Sequence, residues 1–250
     1  MRDVLDAVAE GELSPAEAEA ELRGYARTGA GRFDAARAAR TGIPEAVLAD
    51  GKTPEEVASM TAAAVETTGH ALVTRADDDA VETCRRRLAD DHPDADVTRN
   101  ARARTLVVHG PEYDPPELSA TVTVVTAGTS DAAAAGEAAV VAGEMCATVE
   151  FVDDVGVAGI ARVLDRIDDL RAADALVVAA GREGALPTVV AGLVDVPLVG
   201  LPVSTGYGHG GDGEAALSGM LQSCTVLSVV NVDAGFVAGA QAALIARAVD

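Results

Sequence analysis

Between residues 126 and 236, short apolar runs end one after another in small, glycine-rich or acidic clusters. Residues 122–125 lead into TAGTSD (126–131), and 149–152 into DDVGVAG (153–159). Residues 176–178 lead into AAGREGALP (179–187), and 198–200 into LPVSTGYGHGGDG (201–213). After a lone Cys224, residues 226–230 lead into NVDAG (231–235). Helical patterns, among them 132–142, 157–170 and 214–222, separate the runs. Strand and helix in alternation mean βαβ units, a parallel sheet and right-handed crossovers. In such a sheet the loops after the strands gather along one edge, where ligands bind. The pattern predicts a doubly wound α/β domain whose site is assembled from several loops, and an enzyme.

The segment PEYDPPELS (111–119) has three prolines in six residues, which excludes both helix and central strand. Glycine usage changes there too, with 8 before residue 120 and 17 after. The predicted organisation is an N-terminal α+β region over 1–115 and the parallel-sheet domain over 120–250. The first region reads as mainly helical with a small two-strand element. Val4, Leu5 and Val8 set an apolar helix face. SPAEAEAEL (14–22) reads as a capped helix, with Ser14 as N-cap, Pro15 next and Glu17 closing a capping box. TPEEVASMTAAAVETTG (53–69) repeats the device with Thr53, Pro54 and Glu56, and Gly69 stops it. HALVTR (70–75) and TLVVHG (105–110) read as strands, with a polar-faced helix between them.

The formal net charge is −21, which opposes nucleic acid and anionic membranes at long range. Acidity of this kind also suits high salt, where screening weakens the repulsion. Lys52 is the only lysine, and both function and chance survival fit it. No run of about 18 uncharged apolar residues predicts a membrane span. AAAAGEAAVVAGEMCA is interrupted by Glu137 and Glu144 and reads as a buried helix. The acidic, amphipathic first residues do not read as a signal peptide. Cys84, Cys146 and Cys224 are far apart and form no CxxC, which fits a reducing, cytoplasmic setting.

Each cluster admits two readings. Small residues in TAGTSD let backbone N–H groups approach an anion ahead of a helix, but Ser130 or Asp131 equally suits a plain N-cap. The pattern is neither GxGxxG nor a P-loop, which disfavours a standard dinucleotide fold. Glu183 is a base or metal ligand at a strand end, or a solvated turn residue. Of Asp153 and Asp154, one suits a helix cap and the other could face the site. Cys224 by itself reads as a small packing residue. His209 is the only one of the four histidines in a site-like loop, and no Ser-His-Asp arrangement can be argued.

Taken in order, TAGTSD, DVGVAG, G-x-EGALP, STGYG, SC and N-x-D-x-GF resemble the LarB family of nickel-pincer cofactor biosynthesis, the pyridinium-3,5-biscarboxylic acid mononucleotide synthases. The resemblance reaches upstream to D-x-x-R-x-x-R-TG-x-PE (34–45) and GKT (51–53). The half after the linker is similar in turn to PurE-type aminoimidazole ribonucleotide carboxylases. Those enzymes carry a histidine shortly after Ser-Asp, where this chain continues AAAAGEAA, and they lack the first 115 or so residues. The loop GYGHGGDG departs from the LarB pattern, which puts a role for His209 in doubt; CTVLSVVN also departs, so the turn after the cysteine differs, and SDAAAAGEA replaces a proline-containing helix start.

The resemblance implies carboxylation of nicotinic acid adenine dinucleotide at pyridinium C5 by CO2, then hydrolysis of its phosphoanhydride. Cys224 takes the family's cysteine position, as nucleophile. Glu183 and Asp154 become candidates for proton transfer or metal binding. Gly128, Thr129, Ser130 and Asp131 would cradle phosphate or ribose. Gly181, Gly184, Gly206, Tyr207, Gly208, Asn231 and Asp233 complete the implied substrate-binding set. Arg37 and Arg40 suit a substrate anion, or structural ion pairs. Mg²⁺ or another divalent cation is implied for the pyrophosphate, with CO2 as co-substrate. The sheet domain resembles one that assembles into octamers, which implies a homo-oligomer. The rival readings are an aminoimidazole ribonucleotide carboxylase or mutase, and a non-catalytic nucleotide-binding module.

Overall fold

A computed structural model describes residues 2–11, 13–115, 118–206 and 208–250, with only the backbone at positions 2, 3, 17 and 21. Two compact units result, Met1–Pro115 and Pro116–Asp250.

The first unit opens with helices α1 (Arg2–Glu10) and α2 (Pro15–Arg23) and a hairpin of β1 (Ala26–Thr28) and β2 (Gly31–Phe33). The expected Ser14–Glu17 box rests on a side chain outside the described residues. Next come α3 (Arg37–Thr41), β3 (Ala46–Leu48), α4 (Pro54–Thr68), β4 (His70–Thr74), α5 (Asp78–Asp91), β5 (Asp96–Asn100) and β6 (Thr105–His109). The sheet order is β3-β4-β6-β5, with only the β3–β4 pair parallel. Helix α4 is stopped at both ends as its sequence predicts. The Thr53 hydroxyl accepts the Glu56 N–H at 3.2 Å, and the Glu56 carboxylate accepts the Thr53 N–H at 2.8 Å. Gly69 then turns left-handed at φ 67°. Val57, Ala64 and Val65 of α4 join Val73, Leu88 and Leu106 in the core. Where two strands were expected, the described residues hold six. The others are three residues long or, like β5, mostly exposed and polar, so no apolar run announces them.

The second unit runs β7 (Thr121–Thr126), α6 (Ala132–Glu144), β8 (Thr148–Val152), α7 (Ile160–Leu164), α8 (Ile167–Arg171), β9 (Ala175–Ala180), α9 (Ala185–Ala191), β10 (Leu198–Pro202), α10 (Glu214–Leu221), β11 (Ser228–Val229) and α11 (Gly235–Val249). Its five-stranded sheet is parallel throughout, in the order β11-β10-β9-β7-β8. The chain moves one way from β7 to β8 and the other way to β9, so the strand order reverses between β7 and β9. All of β9 and β10 is buried, as for parallel strands covered on both faces. Val163, Leu170, Leu186, Val190 and Met220, from α7 to α10, share one core with β9. Helices α6 and α11 pack closely together through glycine. A Cβ on Gly235 would lie 2.3 Å from the Ala134 carbonyl oxygen, and one on Gly239 2.2 Å from that of Ala138.

Two expectations need correction. The helix expected over 157–170 is divided, because the chain tightens at Arg166, whose N–H bonds Val163 three residues back. The strand expected over 226–230 shrinks to Ser228–Val229, since Val226 lies outside the ladder at 96% exposure.

Candidate active site

The loops after β7, β8, β9 and β10 meet at the point where the strand order reverses, and they enclose a cavity of about 400 Å³. Gly128, Ser130 and Asp131 line it from the first loop, Gly156 from the second, Gly181, Arg182 and Glu183 from the third and Thr205 from the fourth. Small residues permit this convergence. A Cβ on Gly156 would stand 2.8 Å from the Ala127 carbonyl oxygen, and one on Gly181 3.1 Å from that of Thr205.

Asp131 forms the floor, at 3% exposure. Its carboxylate does not cap α6. It turns back to accept the Gly128 N–H at 2.9 Å, and the hydroxyls of Ser130 and Thr205 each donate to its other oxygen at 3.3 Å. Burial pushes this carboxyl above its ordinary range, and the donors draw it partly back. Glu183 is exposed to the cavity, and its turn is fixed from behind by α10. A Cβ on Gly219 would lie 2.3 Å from the Glu183 carbonyl oxygen, and one on Gly184 2.5 Å from that of Ala216. Arg182 holds φ 53°, and Asp154, Asp212 and Asp233 hold similar left-handed values in the neighbouring strand-end loops. Backbone strain of this sort collects at ligand sites.

Of the remaining residues singled out by sequence, Gly206 abuts the Arg182 backbone, at 3.3 Å from a notional Cβ. Gly184 begins α9 in a left-handed conformation, and Gly208 is exposed at φ 92°. Thr129 is exposed beside the pocket-lining Ser130. Asn231 folds onto the next residue, its side-chain oxygen accepting the Val232 N–H at 2.9 Å. Asp233 accepts the Ser204 N–H at 2.9 Å. Tyr207 lies outside the described residues. Asp154 does not line the cavity; it is exposed and accepts from Arg162 at 2.7 Å.

Cys224 stands apart from the pocket. It precedes β11, so it lies at the edge where strands begin, whereas the pocket lies where they end. Its neighbour Thr225 lies beside Gly192, at the far end of α9. The strand between the two edges has five residues, about 16 Å at roughly 3.3 Å per residue. Within one chain, Cys224 and the strand-end clusters therefore lie at opposite edges of the sheet.

In the first unit, Arg37 bonds Glu45 at 2.8 Å, and Arg40 grips Asp34 through two bonds of 3.0 and 2.6 Å. That grip holds the Asp34 carboxyl below its usual range. Lys52 donates to the Leu48 carbonyl at 2.6 Å and so closes the turn ahead of α4. His209 is exposed. Arg182 and Thr205 also line the cavity; no pattern in the sequence marks them, although they lie inside the motifs G-x-EGALP and STGYG.

A parallel sheet with a pocket at its switch point, floored by a buried aspartate and edged by a glutamate, is the architecture of a doubly wound α/β domain with a strand-end ligand site, and the family matches make it a PurE-like domain of the carboxylase type. Residues 121–249 match the aminoimidazole ribonucleotide (AIR) carboxylase family, and residues 25–110 match the LarB/PurE-like N-terminal domain. An uncharacterized protein of Methanocaldococcus jannaschii is 36% identical over 258 residues, covering 99% of this chain and 97% of its own length. The chain belongs to the LarB family. No helix among the described residues is long and apolar enough to cross a membrane.

Proposed function

We propose that this chain carboxylates the pyridinium ring of nicotinic acid adenine dinucleotide at C5 and then hydrolyses the phosphoanhydride, releasing AMP and pyridinium-3,5-biscarboxylic acid mononucleotide. The observation that carries the reading is the meeting of the 128–131 turn and the 181–183 turn in one cavity, in a chain with both domains of the LarB family.

A pyridinium ring is electron-poor and does not attack CO2. A thiolate added at C4 gives a dihydropyridine whose C5 is enamine-like. C5 then forms its bond to CO2, a base removes the C5 proton, and expulsion of the thiolate restores the aromatic ring. This is nucleophilic catalysis, which divides one difficult step into easier ones. Glu183 is the base we assign, because it is a carboxylate open to the cavity. Asp131 and the Gly128 turn hold the ribose or phosphate. Mg²⁺ commonly takes one or two carboxylates and completes its shell with phosphate and water, and Asp131 and Glu183 are the carboxylates that line the cavity and could supply one. When bound, it would neutralise the pyrophosphate for attack by water.

Cys224 is the nucleophile in this reading. Since it sits at the opposite sheet edge, a second copy of the chain must deliver it to the pocket, and the working unit is a cytoplasmic homo-oligomer. The test supplies the dinucleotide, bicarbonate and Mg²⁺ in high salt and follows both products by mass. Folded protein that yields neither product overturns the reading. Cys224→Ser should lower carboxylation at least about a thousandfold, the scale of loss for a covalent nucleophile. Mixing Cys224→Ser with Glu183→Gln, each inactive alone, should restore part of the activity.

A further inference from the structure

Three pocket loops are tied together by one chain of contacts. Asp233, after β11, is left-handed at φ 54°. Its own N–H donates to the Pro202 carbonyl at 2.9 Å, and its carboxylate accepts the Ser204 N–H at 2.9 Å. The loop after β10 is thereby pinned at its first residues. One residue further on, the Thr205 hydroxyl donates to Asp131 at 3.3 Å. Thr205 also backs onto the third loop, where a Cβ on Gly181 would meet its carbonyl oxygen at 3.1 Å.

Asp131 is the group that needs holding. One carboxylate oxygen has a bond of ordinary length from Gly128, whereas the two hydroxyls reach the other at a longer 3.3 Å each, and the Ala127 backbone also donates to the carboxylate. An O–H···O bond is commonly about 2.7–2.8 Å. The long hydroxyl contacts leave the second oxygen room for a shorter bond from a ligand hydroxyl. Its direction is set by Thr205, since Ser130 is the next residue along and moves with it.

We propose that Thr205 and Asp233 are positioning residues: Asp233 anchors the loop after β10 through Ser204, and Thr205 from that loop aims the Asp131 carboxylate at a ribonucleotide's hydroxyls. This rests on the reading of Asp131 as a substrate-holding residue, and it moves Asp233 from direct contact with substrate to support.

The probe is AMP, whose binding needs no turnover, followed by calorimetry on the full-length chain. Thr205→Val keeps the shape and removes the hydroxyl. Asp233→Ala removes the anchor, while Asp233→Asn keeps an acceptor and tolerates a left-handed backbone. Thr205→Val and Asp233→Ala should each weaken AMP binding roughly three- to tenfold, the value of one hydrogen bond. The double variant should lose little more than either one, because both act through the same contact. Thr205→Ser and Asp233→Asn should recover most of the affinity. Additive losses, equal impairment by Thr205→Ser and Thr205→Val, or wild-type protein that does not bind AMP would each overturn the proposal. Wild-type protein that binds AMP with this pattern but makes no product from the dinucleotide supports the brace and sinks the proposed reaction. Melting temperatures shared across the set separate aiming from loss of fold.

Discussion

Asp131 bears two demands that pull in opposite directions. Ligand chemistry wants an acceptor at the pocket floor, whereas burial disfavours its charge. An acid whose carboxyl is raised on folding binds more protons folded than unfolded. Its contribution to stability is therefore fully present below its unfolded value, near 3.8, and declines as pH rises through the folded one. Asp131→Asn, nearly the same shape, should flatten the fall of melting temperature with pH above about pH 4 and raise it at neutrality. The same variant should bind AMP less well, and melts with and without nucleotide measure both effects. Asp250 runs the other way. It accepts from the Ser119 N–H and hydroxyl at 2.7 and 2.5 Å, which hold its carboxyl below the ordinary range. That contribution is present above the unfolded value and is lost as pH falls through the folded one.

Among the elements, α10 most directly controls the chemistry, because its Gly219 backbone presses on the turn that carries Glu183. Gly219→Ala puts a methyl group where no room exists and should cost about 1–3 kcal/mol in a denaturant titration. Activity should fall along with it. In the first unit, Thr53→Ala should lower stability by about 1 kcal/mol by opening the capping box. That box was readable from T-P-E-E alone, because capping is local chemistry within four residues. The β7–β10 strands were readable too, as apolar runs that end in small, glycine-rich or acidic clusters. Strand β5 was not, for its residues are mostly exposed and polar and only the hydrogen bonds to β6 make it a strand. The site divided on similar lines. Gly128, Asp131, Gly181 and Glu183 follow their strands, so alternation alone sends them to one edge. Cys224 precedes its strand, and matching its motif says nothing about that direction. Thr205 is not legible in the sequence, because its part is a contact to a residue 74 positions away.

At the scale of the whole molecule, a net charge of −21 repels itself, and salt relieves that repulsion. The denaturation midpoint should rise from low salt toward molar salt, and a flat response would count against charge as the limiting term. The opposite placement of Cys224 and the pocket has a kinetic meaning as well. A lone chain holds its thiol at the sheet edge opposite its own cavity, with the length of β10 between the two edges, so it has no route to attack what it binds. Under the proposed reaction, turnover per chain is then not a constant. It should drop on dilution with the square-law signature of an encounter between chains, while AMP affinity stays the same, and a newly made chain stays chemically silent until it meets another.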